Sequence, residues 1–262
     1  MTKNLRTIVY LAGFIISLHL ALPAYVSSSF LASVIGQNGA DKLVGLIFMA
    51  ASAVALLGIG LAGRPLRRFG LKRTTINLSL LTAGAGLILA LATAGRPGLA
   101  IIFFIAFYAG GIVLKFLLDI YLEDLSTNQA TGQIRGLFLT LTNLAWLFVP
   151  LLVSHLINEI YFERIFILAA AMLVPFVCLI VWPLKNIAEP KYEPASLTAG
   201  LKLLRGRSLI RQVLMLNFTL NLFYAFMVIY LPLYLTVVLG LAWQDLGIIF
   251  TFMLLPFPLF QY

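Results

Sequence analysis

The sequence predicts an all-α, polytopic membrane protein, and three observations carry that prediction. First, 62% of the 262 residues are hydrophobic, only 10% are charged, and the mean hydropathy is +1.04. Soluble domains carry about 25% charged residues, so most of this chain must face hydrocarbon. Second, apolar runs long enough to cross a bilayer recur along the chain. Third, short segments with turn residues or cations separate these runs.

About eight runs reach the roughly 20 apolar residues that a membrane helix needs. They lie near 7–28, 44–62, 74–94, 99–121, 136–157, 165–184, 209–238 and 245–262. The breaks carry turn chemistry, as in GQNGAD at 36–41, GRPG at 95–98 and STNQATG at 126–132. Proline and glycine inside several spans are compatible with membrane helices when neighbouring groups satisfy the freed backbone.

The first run has two interpretations. Lys3 and Arg6 precede it, as cations precede the apolar core of a secretory signal peptide. The run continues for about twenty residues, whereas that core usually has roughly 7–15. We therefore expect a retained first span rather than a cleaved signal.

The cations predict the orientation of the spans. With the N-terminus inside, the inner segments hold fourteen Lys and Arg residues and the outer loops hold three, which are Lys42, Arg96 and Arg164. Lys115 is the cation left inside a span. Because positive residues collect in short cytoplasmic loops, the pattern predicts a cytoplasmic N-terminus in the inner membrane of a cell.

The segment GRPLRRFGLKR at 63–73 gathers five of these cations into one tight turn between the second and third spans. It resembles the loop motif of the major facilitator superfamily of secondary transporters: Gly, three residues, Asp, Arg or Lys, any residue, Gly, any residue, then two basic residues. The matching residues are Gly63, Arg68, Gly70, Lys72 and Arg73. Arg67 stands where the family usually has Asp, so the charge latch to which that acid belongs is in question here.

An internal repeat supports the same family without using its motif. FLASVIG at 30–36 matches YLTVVLG at 234–240, and VGLIF at 44–48 matches LGIIF at 246–250. The two matches occur in the same order in both parts of the chain. The first lies at the exit of one span, and the second lies at the entry of the next span. The repeat predicts one complete six-span half followed by the start of a second.

We therefore expect residues 1–184 to form an N-terminal six-helix bundle and residues 209–262 to begin a second bundle. Residues 185–208 form the expected cytoplasmic linker, in which TAGLKLLRGRSLIR is typical of an amphipathic basic helix at the lipid surface. The resemblance implies twelve spans, of which this chain offers about two thirds. We expect a truncated chain that does not transport alone.

Polar groups inside membrane spans are functional candidates by default. Lys115 and Asp119 lie four residues apart on the fourth span, so they share one helix face. Two interpretations stay open for them, a gate or proton-linked pair facing a central cavity and a neutralised pair that supports helix packing.

The resemblance implies that helices 1, 4, 7 and 10 line the substrate cavity. The candidates for this cavity, beside Lys115 and Asp119, are His19, Tyr25, Tyr108, Asn143, Asn217, Asn221 and Tyr224. Alternatives as packing residues stay open for three of them: a hydrogen-bonded histidine for His19, and amides that join helices for Asn143 and Asn217. Glu123, Asp124 and Arg135 lie after the fourth span and are candidates for a cytoplasmic charge latch, with solvated loop charges as the alternative.

The expected function is alternating-access transport of a small solute across the lipid bilayer, with proton coupling left open. A non-transporting membrane sensor or scaffold on the same fold is the alternative. We expect no enzyme, cofactor or metal, because the sequence has no Walker loop and no metal-ligand spacing between His19 and His155. The cations form no continuous basic face, so a nucleic-acid partner is not expected. The single cysteine, Cys178, excludes an intramolecular disulfide.

Overall fold

The computed structural model describes residues 2–36, 40–91, 95–125, 131–156, 162–182 and 206–260. These residues form helices and no strand, so the predicted all-α membrane fold is confirmed. The α-helices are α1 Thr2–Ala24, α2 Ser27–Ile35, α3 Ala40–Leu61, α4 Gly63–Leu91, α5 Pro97–Asp124, α6 Thr131–Leu156, α7 Phe162–Val181, α8 Ser208–Ala225, α9 Leu231–Leu233, α10 Trp243–Leu254 and α11 Pro256–Phe260. Most of the predicted linker, including the larger part of its amphipathic helix, lies outside the described residues.

Seven stretches of helix among the described residues are long and apolar enough to cross a membrane. They correspond to the first seven predicted spans, and the seventh covers Ser208–Val238. The predicted eighth span is instead a shorter apolar helix over Trp243–Leu259. Proline has no backbone N–H and disrupts a helix interior, which accounts for the division at Pro256 between α10 and α11.

The first span is longer than the sequence predicts and is broken near Tyr25. It covers Asn4–Ile35 as an apolar helix, but α1 ends at Ala24 and α2 begins at Ser27. Pro23 lies just before the break, and the Ser27 hydroxyl donates to the Pro23 carbonyl oxygen over 2.7 Å. The break therefore has a local cause in the proline, and it places Tyr25 at the junction of two helical segments.

The seventh span also departs from regular α-helix. Phe226–Tyr230 and Tyr234–Val238 are π-helical, and the short α9 between them contains Pro232. Proline removes one helical donor, and π turns are a known way for a helix to continue through such a position. The C-terminal part of this span therefore departs from the path of a regular α-helix.

Packing is organised around α1, which contacts α5, α6 and α7. The α3 and α4 helices pack on α5, and α4 also packs on α7. Buried apolar residues form two clusters; Tyr25, Phe30 and Phe166 belong to one, and Leu117 and Phe176 to the other. The chain after residue 225 joins the first cluster, because α10 packs on α6 and the π-helical region contacts α2.

Candidate functional site

Aromatic side chains from both repeats meet at one end of the bundle. The Tyr25 ring lies 4.9 Å from the Phe250 ring and 6.4 Å from the Trp146 ring, measured between centroids. Phe162 and Trp243 make a similar contact at 6.3 Å. Offset and edge-on ring pairs of this kind stabilise packing beyond simple area burial. We call this end of the bundle the closed end, because α10 covers it.

Two glycines allow close approach of helices at the closed end. A Cβ atom at Gly247 would lie 2.5 Å from Ser154 Oγ and 3.0 Å from the Pro150 carbonyl oxygen. A Cβ atom at Gly45 would lie 2.5 Å from the Tyr230 hydroxyl oxygen. Gly45 and Gly247 occupy the same place in the repeat, VGLIF and LGIIF. Small residues let membrane helices approach closely, so both repeats use this position for contact with the other half.

We call the opposite end, which contains the turn at 63–73, the open end, because α8 has no buried residue there. None of the residues of α8 is buried, although the helix is apolar enough to belong to a membrane span. Its two candidate amides are exposed: Asn217 donates to the Val213 carbonyl at 3.4 Å, and Asn221 donates to the Asn217 carbonyl at 2.7 Å. Each amide therefore uses one N–H donor within its own helix. Its other N–H and its carbonyl oxygen are left to bond with groups outside the helix.

Lys115 and Asp119 are both exposed on α5. Asp119 interacts electrostatically with Lys115, and also with Arg135 and Glu123. Within the described part of the chain, no N···O distance of 4.0 Å or less joins Lys115 to Asp119. The two groups thus share a face and a local field without forming a closed ion pair.

His19 lies in the packed interior of the bundle. Its Nδ1 is 2.8 Å from the Ala169 carbonyl oxygen, and since a carbonyl only accepts, this nitrogen carries the proton of the bond. The ring packs edge-on against Phe107 at 5.0 Å, and its Nε2 lies against Gly111. His19 therefore joins α1 to α7 and α5, away from the exposed polar groups of the open end.

The other cavity candidates are placed in different surroundings. Tyr108 is half-buried between α3 and α5, with its ring 5.4 Å from that of Phe48. Tyr224 is half-buried, and its ring lies 5.5 Å from that of Phe257. Asn143 is half-buried on α6. Tyr108 thus packs on α3, whereas Tyr224 packs on α11.

Two cations bond to the ends of helices at the open end. Lys72 Nζ donates to the Val181 carbonyl oxygen over 2.8 Å, and Arg6 Nε donates to the Leu125 carbonyl oxygen over 3.0 Å. Those carbonyls lie at the C-termini of α7 and α5, where backbone acceptors lack helical partners and the helix dipole is negative. Both bonds therefore tie a helix end to a distant part of the first bundle.

The charged groups after the fourth span remain at the surface. Glu123, Asp124 and Arg135 are all exposed. The 63–73 turn bends at Gly70, whose φ of 79° lies in the left-handed region that favours glycine. A helix–turn–helix therefore forms where the loop motif predicts it.

Comparison with known proteins agrees with this architecture. The model of the Major Facilitator Superfamily matches residues 8–261. The chain belongs to the major facilitator superfamily. No curated protein matches it. As a superfamily member it is a multi-pass membrane protein of a transporter family, so the predicted family is confirmed.

In this superfamily member, sequence reasoning missed the residues that close one end. Trp146, Ser154 and Phe250 were not among the candidates, because apolar and small residues in a span look alike whether they face lipid or another helix. Gly247 carried a usable signal, since its repeat partner Gly45 occupies the same position. Arg6 carried none, because its acceptor lies 119 residues away.

Proposed function

We propose that this chain takes part in secondary transport of a small polar solute by alternating access. The observation that carries the proposal is the difference between the two ends of the molecule. At the closed end Phe250 packs on Tyr25, whereas α8 has no buried residue at the open end. Alternating access needs two halves that meet at one membrane face while they part at the other, and this asymmetry supports such an arrangement.

The orientation is part of the proposal. The cations of the 63–73 turn, together with Arg6 and Arg211, belong to the open end, which by the positive-inside rule faces the cytoplasm. The closed end then faces the outside of an inner membrane. The arrangement would correspond to a state that admits solute from the cytoplasmic side.

The exposed groups near the opening favour a polar solute. Lys115 supplies a positively charged donor and Asp119 a negatively charged acceptor. The neutral amides of Asn217 and Asn221 can both donate and accept. Of the two candidates for proton coupling we favour Asp119, because it is exposed while His19 is enclosed and bonded. Aromatic groups at the closed end, including Tyr25, would form the far wall of the pathway.

Spin-label distances test this function against the sensor or scaffold alternative. One pair of labels, at Leu156 and Ile248, reports the closed end, and a second pair, at Leu11 and Leu214, reports the open end; all four side chains are exposed. In a Cys178→Ser background in lipid, we expect two distance populations at each end. A solute from a panel of polar metabolites should shift the two pairs in opposite directions. A single distance at both ends that no solute changes would favour the scaffold.

A further inference from the structure

Three arginines of the 63–73 turn share one face of a short helical segment. The segment runs from Gly63 to Phe69 and ends at Gly70, where the backbone leaves helical geometry. Arg64, Arg67 and Arg68 have the i, i+3, i+4 spacing that places side chains side by side, and all three are exposed. The turn therefore presents three guanidinium groups together.

The rest of the turn is anchored, so this arginine face has a defined position. Leu66 and Leu71, one on each side of Gly70, are buried to 4% and 2% exposure. Lys72 is held by its bond to the Val181 carbonyl oxygen. A face fixed in this way loses little conformational freedom when it binds a ligand.

The arginine face has no acidic partner in the described part of the chain. None of the three guanidinium groups has a carboxylate oxygen within 4.0 Å there. Like charges at these spacings repel, and the position where the family usually supplies an acid is Arg67. The geometry thus favours an anion from outside the protein as the counter-charge.

Phe69 indicates where that anion lies. Its side chain is 45% exposed beside the arginines, and the Arg68 guanidinium lies 5.1 Å from the centroid of its ring. Helical segments that combine exposed Phe, Trp or Leu with Lys and Arg lie in the membrane interface, so the turn lies at the depth of the phosphates. Guanidinium groups match phosphate oxygens through paired N–H donors, which a lysine ammonium does not provide.

We propose that Arg64, Arg67 and Arg68 bind the phosphate of an anionic phospholipid headgroup. Inorganic phosphate shares this chemistry, but a free anion would not use the exposed ring of Phe69. The lipid would neutralise the turn in place of the acid that the loop motif usually contains. This site does not depend on the proposed transport activity, since it is built from the anchored turn alone.

Native mass spectrometry of the whole chain, titrated with phosphatidylglycerol, measures this binding. Each guanidinium that donates to the lipid phosphate is expected to contribute roughly a fivefold gain, from about 1 kcal/mol per cation at anionic headgroups. We therefore expect the triple variant Arg64→Gln, Arg67→Gln and Arg68→Gln to bind this lipid about a hundredfold more weakly. The control is Lys42→Gln, Arg96→Gln and Arg207→Gln, which removes three exposed cations elsewhere and should bind as the unchanged chain does.

Further measurements distinguish a lipid phosphate from a soluble phosphate, and they test whether the paired N–H donors of arginine are needed. Changing the three arginines to lysine keeps the charge and the expected fold, and should leave binding weaker than in the unchanged chain. Phosphatidylcholine should bind no more tightly to the unchanged chain than to the glutamine variant. Equal phosphatidylglycerol binding by the glutamine and control variants would overturn the proposal. Inorganic phosphate that competes at equal concentration with the lipid would assign the site to a soluble anion instead.

If the triple glutamine variant fails to give a folded, monodisperse protein, the lysine variant and the single change Arg67→Gln decide the question. Arg67 is exposed, so its replacement should not disturb packing. A selective loss of phosphatidylglycerol in these variants supports the site, and unchanged binding in both opposes it. None of these measurements involves solute movement, so a negative result here leaves the proposed transport untouched, and the reverse also holds.

Discussion

The close approach at Gly247 predicts that a single methyl group shifts the balance between the closed and parted arrangements of the two halves. In Gly247→Ala the new Cβ would lie 2.5 Å from Ser154 Oγ, 2.7 Å from Ser154 Cβ and 3.0 Å from the Pro150 carbonyl oxygen. The Ser154 hydroxyl can rotate away, but its Cβ and the backbone carbonyl move only with α6. The helices must therefore separate for the variant to be accommodated.

The size of the effect follows from the cost of overpacking. Inserting a methylene-sized group into a packed site typically costs about 1–3 kcal/mol. That range corresponds to a roughly 5- to 150-fold decrease in the population of the closed arrangement relative to the parted one. Gly84→Ala is a matched control, since Gly84 is also inside a helix and a Cβ there meets nothing within 4 Å.

The assay is the distance between spin labels at Leu156 and Ile248, compared among the unchanged chain, Gly247→Ala and Gly84→Ala. We expect the short-distance population to fall only in Gly247→Ala. Adding Ser154→Gly to that variant should restore part of it, because the Pro150 carbonyl oxygen is then the nearest remaining obstacle. If Gly247→Ala and Gly84→Ala give the same distances, the closed end does not depend on this glycine.

Three further predictions concern the open end and the membrane orientation. In a cysteine-free background, an impermeant thiol reagent applied to intact cells should label a cysteine at position 96 and spare one at position 68; labelling at 68 would contradict the cytoplasmic turn. Lys72→Met should lower the free energy of unfolding by about 0.3–1 kcal/mol, because a helix C-terminus loses a cation, while Arg73→Met, an exposed neighbour, should change it less; equal losses would argue against the helix-end bond. Lys115→Met, Asp119→Leu and their combination should show a coupling below about 1 kcal/mol, as exposed charges do; a larger coupling in thermal unfolding would show that the two side chains meet in lipid.

The sequence predicts the helices well because each membrane span must satisfy its own backbone in a fixed thickness of hydrocarbon. The length of each apolar run therefore decides the element, as at Pro97–Asp124 and Phe162–Val181. The turn at Gly70 is likewise predictable, because a positive φ is a local demand that selects one residue type. The division of the last apolar run at Pro256 is also predictable, because proline interrupts the helix in which it stands.

The contacts between helices depend on the arrangement of the whole bundle and are much harder to predict. Periodicity places Lys115 and Asp119 on one face, but it does not tell whether that face meets lipid, water or protein. The enclosure of His19 depends on Ala169 and Phe107, which lie on other helices. The closed end depends on shape: Gly247 matters because Ser154 occupies the space where a side chain would lie, and no hydropathy pattern records such a contact.

The two helix-end bonds of Arg6 and Lys72 also constrain how the protein is made. Arg6 leaves the ribosome long before its acceptor, and at about 5–20 residues per second the 119 intervening residues take roughly 6–24 s to be synthesised. The time between the synthesis of Lys72 and that of Val181, 109 residues later, is similar. During these intervals both cations stand on the membrane surface without their final acceptors. The two bonds at the open end can therefore form only after the fourth span (α5) and then the sixth span (α7) have been inserted. This gives the assembly of the first bundle a fixed order.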